Sequence, residues 1–273
     1  MLKLRYKGTS LIPVEAECLT PDALAGKSVT EIAKLPLQHG NARVPLAELF
    51  DVSGPADDGE LAIEGDCSRV KWIGARMTRG RLTVDGDAGM HLGAEMAGGE
   101  IHLRGNAAEW LGAQMRGGLI HIDGSAADHA GGAYPGSRAG MRGGVLLIEG
   151  NAGREAGNTM RRGLIAVGKD CGQFAGASLV AGSIFIFGAA RERVGAGMKR
   201  GTIALFGAMP PLLPSFRFDC LYRPAFLDLY LTRLRGWRFP VPPELERGFY
   251  SRYSGDLLEL GKGELLHWQP AGR

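Results

Sequence analysis

Two histidines in this 273-residue chain are spaced so that they could act together on a metal ion. His102 and His121 lie nineteen residues apart, each within a short alternation of apolar and polar residues. If the chain repeats at that interval, the two imidazole rings stack on neighbouring strands and could bind a divalent metal. The equivalent positions elsewhere hold no carboxylate or cysteine that would complete a ligand set. We therefore expect a partly covered polar surface and no metal in this chain.

A second group of side chains is basic. Four basic residues each directly follow a methionine and are named the cationic row: Arg116, Arg142, Arg161 and Lys199. Stacking would bring these charges together, which is unfavourable unless they extend into water or bind an anion. Two interpretations stay open, solubilising charge at the edge of the molecule or a basic track for an extended polyanionic ligand.

A third group is aromatic. Five residues share one position of the repeat and are named the aromatic column: Trp72, His91, Trp110, His129 and Phe174. Glu155 and Arg193 occupy the same position in two further repeats. Large outward aromatics in a row favour contact with a protein partner or with the chain's own flanking segments. A tryptophan separates the two histidines, which argues against metal binding. We predict a partner interface.

The remaining composition excludes several classes of protein. The net charge of +3 is too small to indicate nucleic acid binding. Cys18, Cys67, Cys171 and Cys220 are far apart and form no CxxC pair, so we expect free thiols in a reducing cytosol. The sequence shows no signal peptide, membrane-spanning run, nucleophile–base pair, HxH motif or phosphate loop. We predict a cytoplasmic protein without nucleic acid or membrane partners.

These side chains depend on a repeat of nineteen residues. Its opening positions follow one another at intervals of 21, 19, 19, 26, 19, 19 and 19 residues, at Gly65, Gly86, Gly105, Gly124, Gly150, Lys169, Gly188 and Gly207. The longest interval contains a seven-residue insertion within AGGAYPGSRAGMRGG. Apolar residues stand two and four positions after the third glycine of each repeat, and this alternation predicts a strand. A column of methionines and a row of small residues complete the predicted interior.

One strand per short repeat, with glycine at each corner, predicts an all-β solenoid of stacked coils. We assign residues 1–58 to a small N-terminal cap, 59–208 to the repeats, and 209–273 to a helix-containing C-terminal extension that packs on the last coils. Pro224 is expected to begin an amphipathic helix whose apolar face carries Phe226, Leu229, Tyr230 and Leu234.

The repeated pieces GARMTRGRLTVDGDAG, GAEMAGGEIHLRGNA and GAQMRGGLIHIDGSA resemble the GXGXG domain found in the large subunit of glutamate synthase. They are also similar to the C-type subunit of formylmethanofuran dehydrogenase and of the bacterial formyltransferase/hydrolase complex. The flanking pieces GNARVPLAELFDVSG, RPAFLDLYL and RYSGDLLELGKGE resemble the C-type subunit as well, so the resemblance covers nearly the whole chain. The Ala- and Arg-rich composition favours the bacterial protein.

This resemblance implies a right-handed parallel β-helix in a hetero-oligomer. It implies one-carbon metabolism, specifically formaldehyde oxidation, in which the complex transfers formyl from formyl-tetrahydromethanopterin to a methanofuran-type cofactor and hydrolyses it to formate. The chemistry would belong to two sister subunits, a formyltransferase subunit and an amidohydrolase-like metal subunit, and a dehydrogenase-like subunit would be a further partner. This chain would then be a non-catalytic structural subunit that binds no cofactor covalently. Its cationic row could guide the acidic tail of the cofactor.

Three alternatives stay open. The chain could be the C-type subunit of a tungsten or molybdenum formylmethanofuran dehydrogenase. It could be a stand-alone metal-dependent enzyme that uses His102 and His121. It could also be a spacer like that of glutamate synthase, which is disfavoured because this short chain has no amidotransferase or synthase domain.

Overall fold

The computed structural model describes residues 1–246 and 248–270. Its strands are β1 (Leu2–Tyr6), β2 (Val14–Glu15), β3 (Pro36–His39), β4 (Ala42–Pro45), β5 (Phe50–Ser53), β6 (Glu60–Glu64), β7 (Val70–Lys71), β8 (Arg81–Asp85), β9 (Glu100–Leu103), β10 (Leu119–Ile122), β11 (Val145–Ile148), β12 (Leu164–Val167), β13 (Ser183–Ile186), β14 (Arg200–Leu205), β15 (Arg217–Tyr222), β16 (Phe249–Gly255) and β17 (Lys262–Gln269). The helices are α1 (Pro21–Leu24), α2 (Val29–Ala33), α3 (Leu46–Leu49) and α4 (Ala225–Gly236), with a 3₁₀ turn at Pro243–Glu246. Arg247 and residues 271–273, which belong to the predicted C-terminal extension, lie outside the described residues.

Most strands belong to one mixed sheet of thirteen strands, in the order β15-β16-β17-β14-β13-β12-β11-β10-β9-β8-β6-β1-β5. The strands of this sheet from β6 to β14 are parallel, and neighbouring strands pair at the intervals of the sequence repeat, for example Ile101 with Ile120 and Ile120 with Leu146. The small residues pair across successive repeats in a second parallel series, which includes Ala88 with Ala107. The protein is therefore β-rich, and its repeats stack in register.

The alternation within each strand separates a buried face from an outer face. In β9, Ile101 and Leu103 are buried, whereas Glu100 and His102 point outward. The methionine column, predicted as one inward row, is fully buried from Met77 to Met198. Cys67 and Cys171 lie among the buried small residues, and burial raises the pKa of both thiols to about 12.

The third glycine of the repeat is required by close approach as well as by backbone conformation. Gly118 has φ +87°, and a Cβ there would lie 2.7 Å from the methyl carbon of Met96 and 2.8 Å from the carbonyl oxygen of Gly99. Any side chain would collide with the methionine beneath it and would also be strained at this positive φ. The same relation joins Gly144 to Met115.

A ladder of polar side chains connects the repeats just after their opening positions. The N–H of Asn106 donates to Asp87 Oδ1 at 2.7 Å, and the N–H of Ser125 donates to Asn106 Oδ1 at 2.9 Å. The pattern continues when Asp170 N–H donates to Asn151 Oδ1 at 3.0 Å. Each side chain therefore satisfies a backbone donor of the next repeat.

Both ends of the sheet are extended by the flanking segments. At one end β1 pairs in parallel with β6 and antiparallel with β5. At the other end β17 pairs in parallel with β14, and β16 and β15 follow antiparallel. Thr20 caps α1 by accepting from the N–H of Ala23. The flanks thus continue the backbone hydrogen bonding that terminal repeats would otherwise leave open.

Helix α4 lies on the outer face of the last repeats, where Leu231 and Leu234 pack with Phe185 and Phe206. Pro224 is the N-cap of the helix, one position before the first helical position at which the sequence placed it. The predicted apolar face was partly wrong, because Leu227 and Leu231 are buried while Leu229 is 75% exposed. The helix is rotated towards the phenylalanines of β13 and the segment after β14. In the described part of the chain no helix is both long and apolar enough to cross a membrane.

Candidate functional site

The aromatic column stands on a turn whose backbone is left-handed at alternate residues. In the third repeat Trp110, Gly112 and Gln114 have φ of 66°, 58° and 55°. Non-glycine residues in this conformation are disfavoured by about 1–2 kcal/mol each. Hydrogen bonds to the next repeat hold them there, since Trp110 N–H donates to Asp128 O at 3.0 Å and Gln114 N–H donates to Gly132 O at 3.1 Å. The same turn therefore projects one side chain outward from every repeat.

The first four members of the aromatic column stack in two pairs. The Trp72 and His91 rings lie 4.0 Å apart and nearly parallel, and the Trp110 and His129 rings lie 4.2 Å apart with the same interplanar angle of 14°. Beyond them His129 Nδ1 lies 3.6 Å from Glu155 Oε2. The Arg193 guanidinium lies 5.1 Å from the centre of the Phe174 ring. The predicted column is thus a strip of paired side chains, and its members from Trp72 to Phe174 are half-buried.

Tyr134, from the insertion in the fourth repeat, covers the beginning of this strip. Its ring centre lies 5.0 Å from that of Trp110, 5.5 Å from His91 and 6.2 Å from Trp72. Its hydroxyl lies 2.8 Å from His91 Nδ1. Burial, with a smaller contribution from the charge of Lys71, lowers the pKa of His91 to about 4. Part of the predicted partner interface is therefore contacted by the chain itself.

The cationic row is exposed along one edge. Arg116 N–H donates to Met96 O, Arg142 N–H to Met115 O and Arg161 N–H to Met141 O, so these residues stand on consecutive repeats. Lys199 stands two repeats beyond Arg161, with Val180 between them. Ion pairs are long where present, at 3.5 Å from Arg116 to Glu95 and 3.6 Å from Lys199 to Glu259. Long, exposed pairs of this kind contribute little and leave the charges able to meet an anion.

His102 and His121 come together, as their spacing predicts, with ring centres 5.3 Å apart. No carboxylate shares their row, as the sequence shows, but two carboxylates of a different row face them. His102 Nε2 lies 2.7 Å from Asp123 Oδ1, and His121 Nε2 lies 2.7 Å from Glu149 Oε1. These carboxylates stand two residues after the histidine position on the same face of the sheet.

Sequence reasoning missed Tyr134, Asp123 and Glu149 for identifiable reasons. Asp123 and Glu149 lie in a different row from the histidines, but residues at i and i+2 share a strand face and can meet across rows. The spacing of two residues from the histidine position is therefore the sequence signal for both carboxylates. Tyr134 is the single aromatic residue of the AYPGSRAG insertion. The three-dimensional fold determines which repeats the insertion contacts, and the spacing of residues in the sequence does not indicate them.

The whole chain is similar to one chain of a solved assembly. With 36% identity and a TM-score of 0.88, the similarity covers 99% of this chain and 100% of that chain, which belongs to the formyltransferase/hydrolase complex of Methylorubrum extorquens determined with methylofuran. No model of a known protein family matches the chain.

Shorter similarities extend to curated proteins. The chain is 43% identical over 85 residues to the C-type subunit of molybdenum-containing formylmethanofuran dehydrogenase 1 from Methanosarcina barkeri, covering 30% of this chain and 28% of that protein. It is 42% identical over 85 residues to the C-type subunit of tungsten-containing formylmethanofuran dehydrogenase 2 from Methanothermobacter wolfeii, covering 30% and 32%. The chain thus spans about a third or less of the length of these curated relatives.

Proposed function

The chain belongs to the family of C-type subunits of the formyltransferase/hydrolase and formylmethanofuran dehydrogenase complexes, and from this premise we propose that it is a non-catalytic structural subunit of a formyltransferase/hydrolase complex. The complex would transfer formyl from formyl-tetrahydromethanopterin to a methanofuran-type cofactor and hydrolyse the product to formate. The observation that carries the proposal is the match to one chain of such a complex over its full length. The sister subunits would be a formyltransferase subunit, an amidohydrolase-like metal subunit and a dehydrogenase-like subunit.

The aromatic column is the surface we assign to a sister subunit. Half-buried tryptophan, histidine and tyrosine rings offer apolar area together with polar tips, the combination enriched in protein interfaces. Tyr134 already orders the rings of Trp72, His91 and Trp110. A partner would therefore meet a preformed surface and lose less side-chain entropy on binding. His129 and Phe174 would extend the contact along the later repeats.

The cationic row is the surface we assign to the acidic tail of the cofactor. Arg116, Arg142 and Arg161 stand on consecutive repeats, about 4.8 Å apart by the usual spacing of strands. An extended chain of carboxylates could run along such a line. No step of the reaction depends on this chain in the proposal.

The finer architecture is part of the same proposal. Two parallel series of pairings, one through the strands and one through the small residues, support a right-handed parallel β-helix over 59–208. A cap at 1–58 and an extension at 209–273 would close its ends. The cytoplasmic location stays a prediction.

A second candidate is the C-type subunit of a tungsten or molybdenum formylmethanofuran dehydrogenase. The identities of 42–43% with such subunits favour it, but over only 82 or 85 residues. Its partner would be a redox-active protein rich in iron–sulfur clusters, whereas the leading proposal requires a formyltransferase and an amidohydrolase-like partner. The identity of the companions therefore separates the two candidates.

Affinity purification of the tagged full chain from its native cells tests the proposal, with the companions identified by mass spectrometry. Formyltransferase and amidohydrolase-like companions are expected, and formyl transfer should require them. Turnover of formylated substrate by the chain alone would instead favour the stand-alone enzyme. Recovery of the chain with an iron–sulfur protein would favour the dehydrogenase.

A substitution tests where the partner binds. Trp110→Ser should lower the recovery of a companion, because it removes a ring that two neighbours hold in place. Leu11→Ser is the matched control, since Leu11 is an exposed apolar residue outside the column. Equal loss with both variants, or loss with neither, would remove the interface assignment without affecting the identity of the companions.

A further inference from the structure

The outer face of β9, β10 and β11 carries two histidines and two carboxylates that form one cluster. His102 and His121 are directly paired residues of β9 and β10. Asp123 follows β10 and Glu149 follows β11, each on the side of the sheet that the histidines occupy. One possible ligand atom from each of His121, Asp123 and Glu149 lies within 4.8 Å of the other two. His102 is outside this group of three, but its Nε2 lies 2.7 Å from Asp123 Oδ1.

We propose that His121, Asp123 and Glu149 bind a zinc-class divalent cation and that His102, which lies beside Asp123, moves in as the fourth ligand. The bound ion would then connect three adjacent strands. Two imidazole nitrogens and two carboxylate oxygens are a donor set suited to Zn²⁺ and Co²⁺, whereas Mg²⁺ and Ca²⁺ prefer oxygen alone. Ligands about 2.0–2.2 Å from a tetrahedral ion stand about 3.3 Å from one another. The present 2.7 Å contacts would open by about 0.6 Å as the ion takes the place of the two hydrogen bonds, and each imidazole that ligates through Nε2 would carry its proton on Nδ1.

The charges around the cluster favour a cation. Two ionised carboxylates bring a charge of about −2 to the cluster, which a divalent ion neutralises. The nearest arginines are engaged with other acids, since Arg81 contacts Glu100 at 3.0 Å and Arg104 contacts Asp85 at 3.6 Å. They line the adjoining cavity of about 330 Å³ together with His102 and His121. Arg81 is therefore paired at close range before an ion arrives, whereas the long, exposed pair of Arg104 leaves part of its charge facing the cavity.

The cluster is accessible but also held in place. The side chains of His102, Asp123 and Glu149 are 40%, 45% and 31% exposed, whereas that of His121 is 15% exposed. An ion can enter from solvent and reach a nitrogen already fixed by the sheet. The register of three neighbouring strands sets the spacing of the ligands, which makes the site more rigid than one built on loops.

Titration of the chelator-treated full-length chain with Co²⁺ and Zn²⁺ tests the site. Wild type should bind one ion per chain, with the visible absorption of cobalt in a tetrahedral N,O site, and Zn²⁺ should raise its melting temperature. Glu149→Gln and His121→Ala should each weaken binding at least about tenfold. His39→Gln, on β3 of the separate four-stranded sheet, is the matched control and should bind as wild type does.

Binding that persists unchanged in the cluster variants, or wild-type binding no stronger than that of Glu149→Gln, would overturn the proposal. Circular dichroism checks that each variant is folded. If Glu149→Gln fails this check, Asp123→Asn takes its place, because its side chain is more exposed and keeps the same shape. The result is independent of the companions of the chain, so the metal site and the proposed function can fail separately.

Discussion

The outer face of the large sheet differs between its first and last repeats, although the strands are built alike. One row of the repeat holds Thr83, His102 and His121 in the first strands, and these side chains are partly exposed. The same row continues as Leu147, Ala166, Phe185 and Ala204, which are fully buried. The change coincides with the seven-residue insertion between β10 and β11, and α4 covers the second half. Stacking determines the inner rows, whereas the outer row depends on what covers it.

The largest expected effect is a loss of stability from substitutions in the later repeats, which α4 covers. Phe185→Ala should lower the free energy of unfolding by about 3–5 kcal/mol, because it empties the space between the sheet and α4. Thr83→Ala, in the same row of the open half, should change it by less than about 0.5 kcal/mol. Denaturant unfolding of both variants provides the measurement. Similar losses at the two positions would mean that the halves do not differ as described.

The helix should show the same contrast on its two faces. Leu231→Ala should cost about 2–4 kcal/mol, because Leu231 is 1% exposed against the phenylalanines. Leu229→Ala is the matched control on the 75% exposed face and should cost less than about 0.5 kcal/mol. Thermal or denaturant unfolding gives both values. A greater loss at Leu229 would restore the helix face that the sequence predicted.

Substitutions in the polar ladder should lower stability equally in the earlier and later repeats. They therefore serve as an internal reference. Asn106→Ala and Asn151→Ala each remove an acceptor for the N–H of the next repeat, at 2.9 Å and 3.0 Å. Each should lower the free energy of unfolding by about 0.5–1.5 kcal/mol. The measurement is the same denaturant experiment. If only one variant loses stability, the difference between the halves extends beyond the outer face.

The stability of the protein should depend on pH because of His91, which lies in the earlier repeats that α4 does not cover. Burial lowers the pKa of His91 to about 4 from its ordinary 6.5, so the folded protein binds fewer protons than the unfolded chain between these values. The contribution of His91 to the free energy of unfolding is therefore complete above pH 6.5 and is lost as the pH falls towards 4. The melting temperature should therefore fall between about pH 6.5 and 5, and less steeply in His91→Gln. Burial also lowers the pKa of His267. The variant His267→Gln therefore shows how much of the pH dependence of the melting temperature comes from His267. An unchanged slope in His91→Gln would contradict the assignment.

The interior could be predicted from the sequence because each inward row must fit the one beneath it. The methionines from Met77 to Met198 recur for that reason, and so do the glycines that lie over them. The start of α1 has a local sequence signal of its own, because the N-capping residue Thr20 is followed directly by Pro21 at the first helical position.

The outer contacts could not be predicted in the same way. The rotation of α4 depends on the shape of the surface that it covers, so the choice between Leu229 and Leu231 is a tertiary one. The carboxylates beside His102 and His121 stand in a different row, and their approach requires the registers of three strands together. Tyr134 bends back over earlier repeats, a path that an insertion of seven residues does not specify.

That backward path fixes how many repeats can precede the insertion. Tyr134 contacts residues of the first, second and third repeats while belonging to the fourth. Loss or duplication of a whole unit before residue 124 would preserve the interior but place the tyrosine over the wrong neighbours. Units after the insertion carry no such constraint from Tyr134. The later units are constrained instead by α4, which packs across them, so the two sides of the insertion limit the number of repeats through different segments.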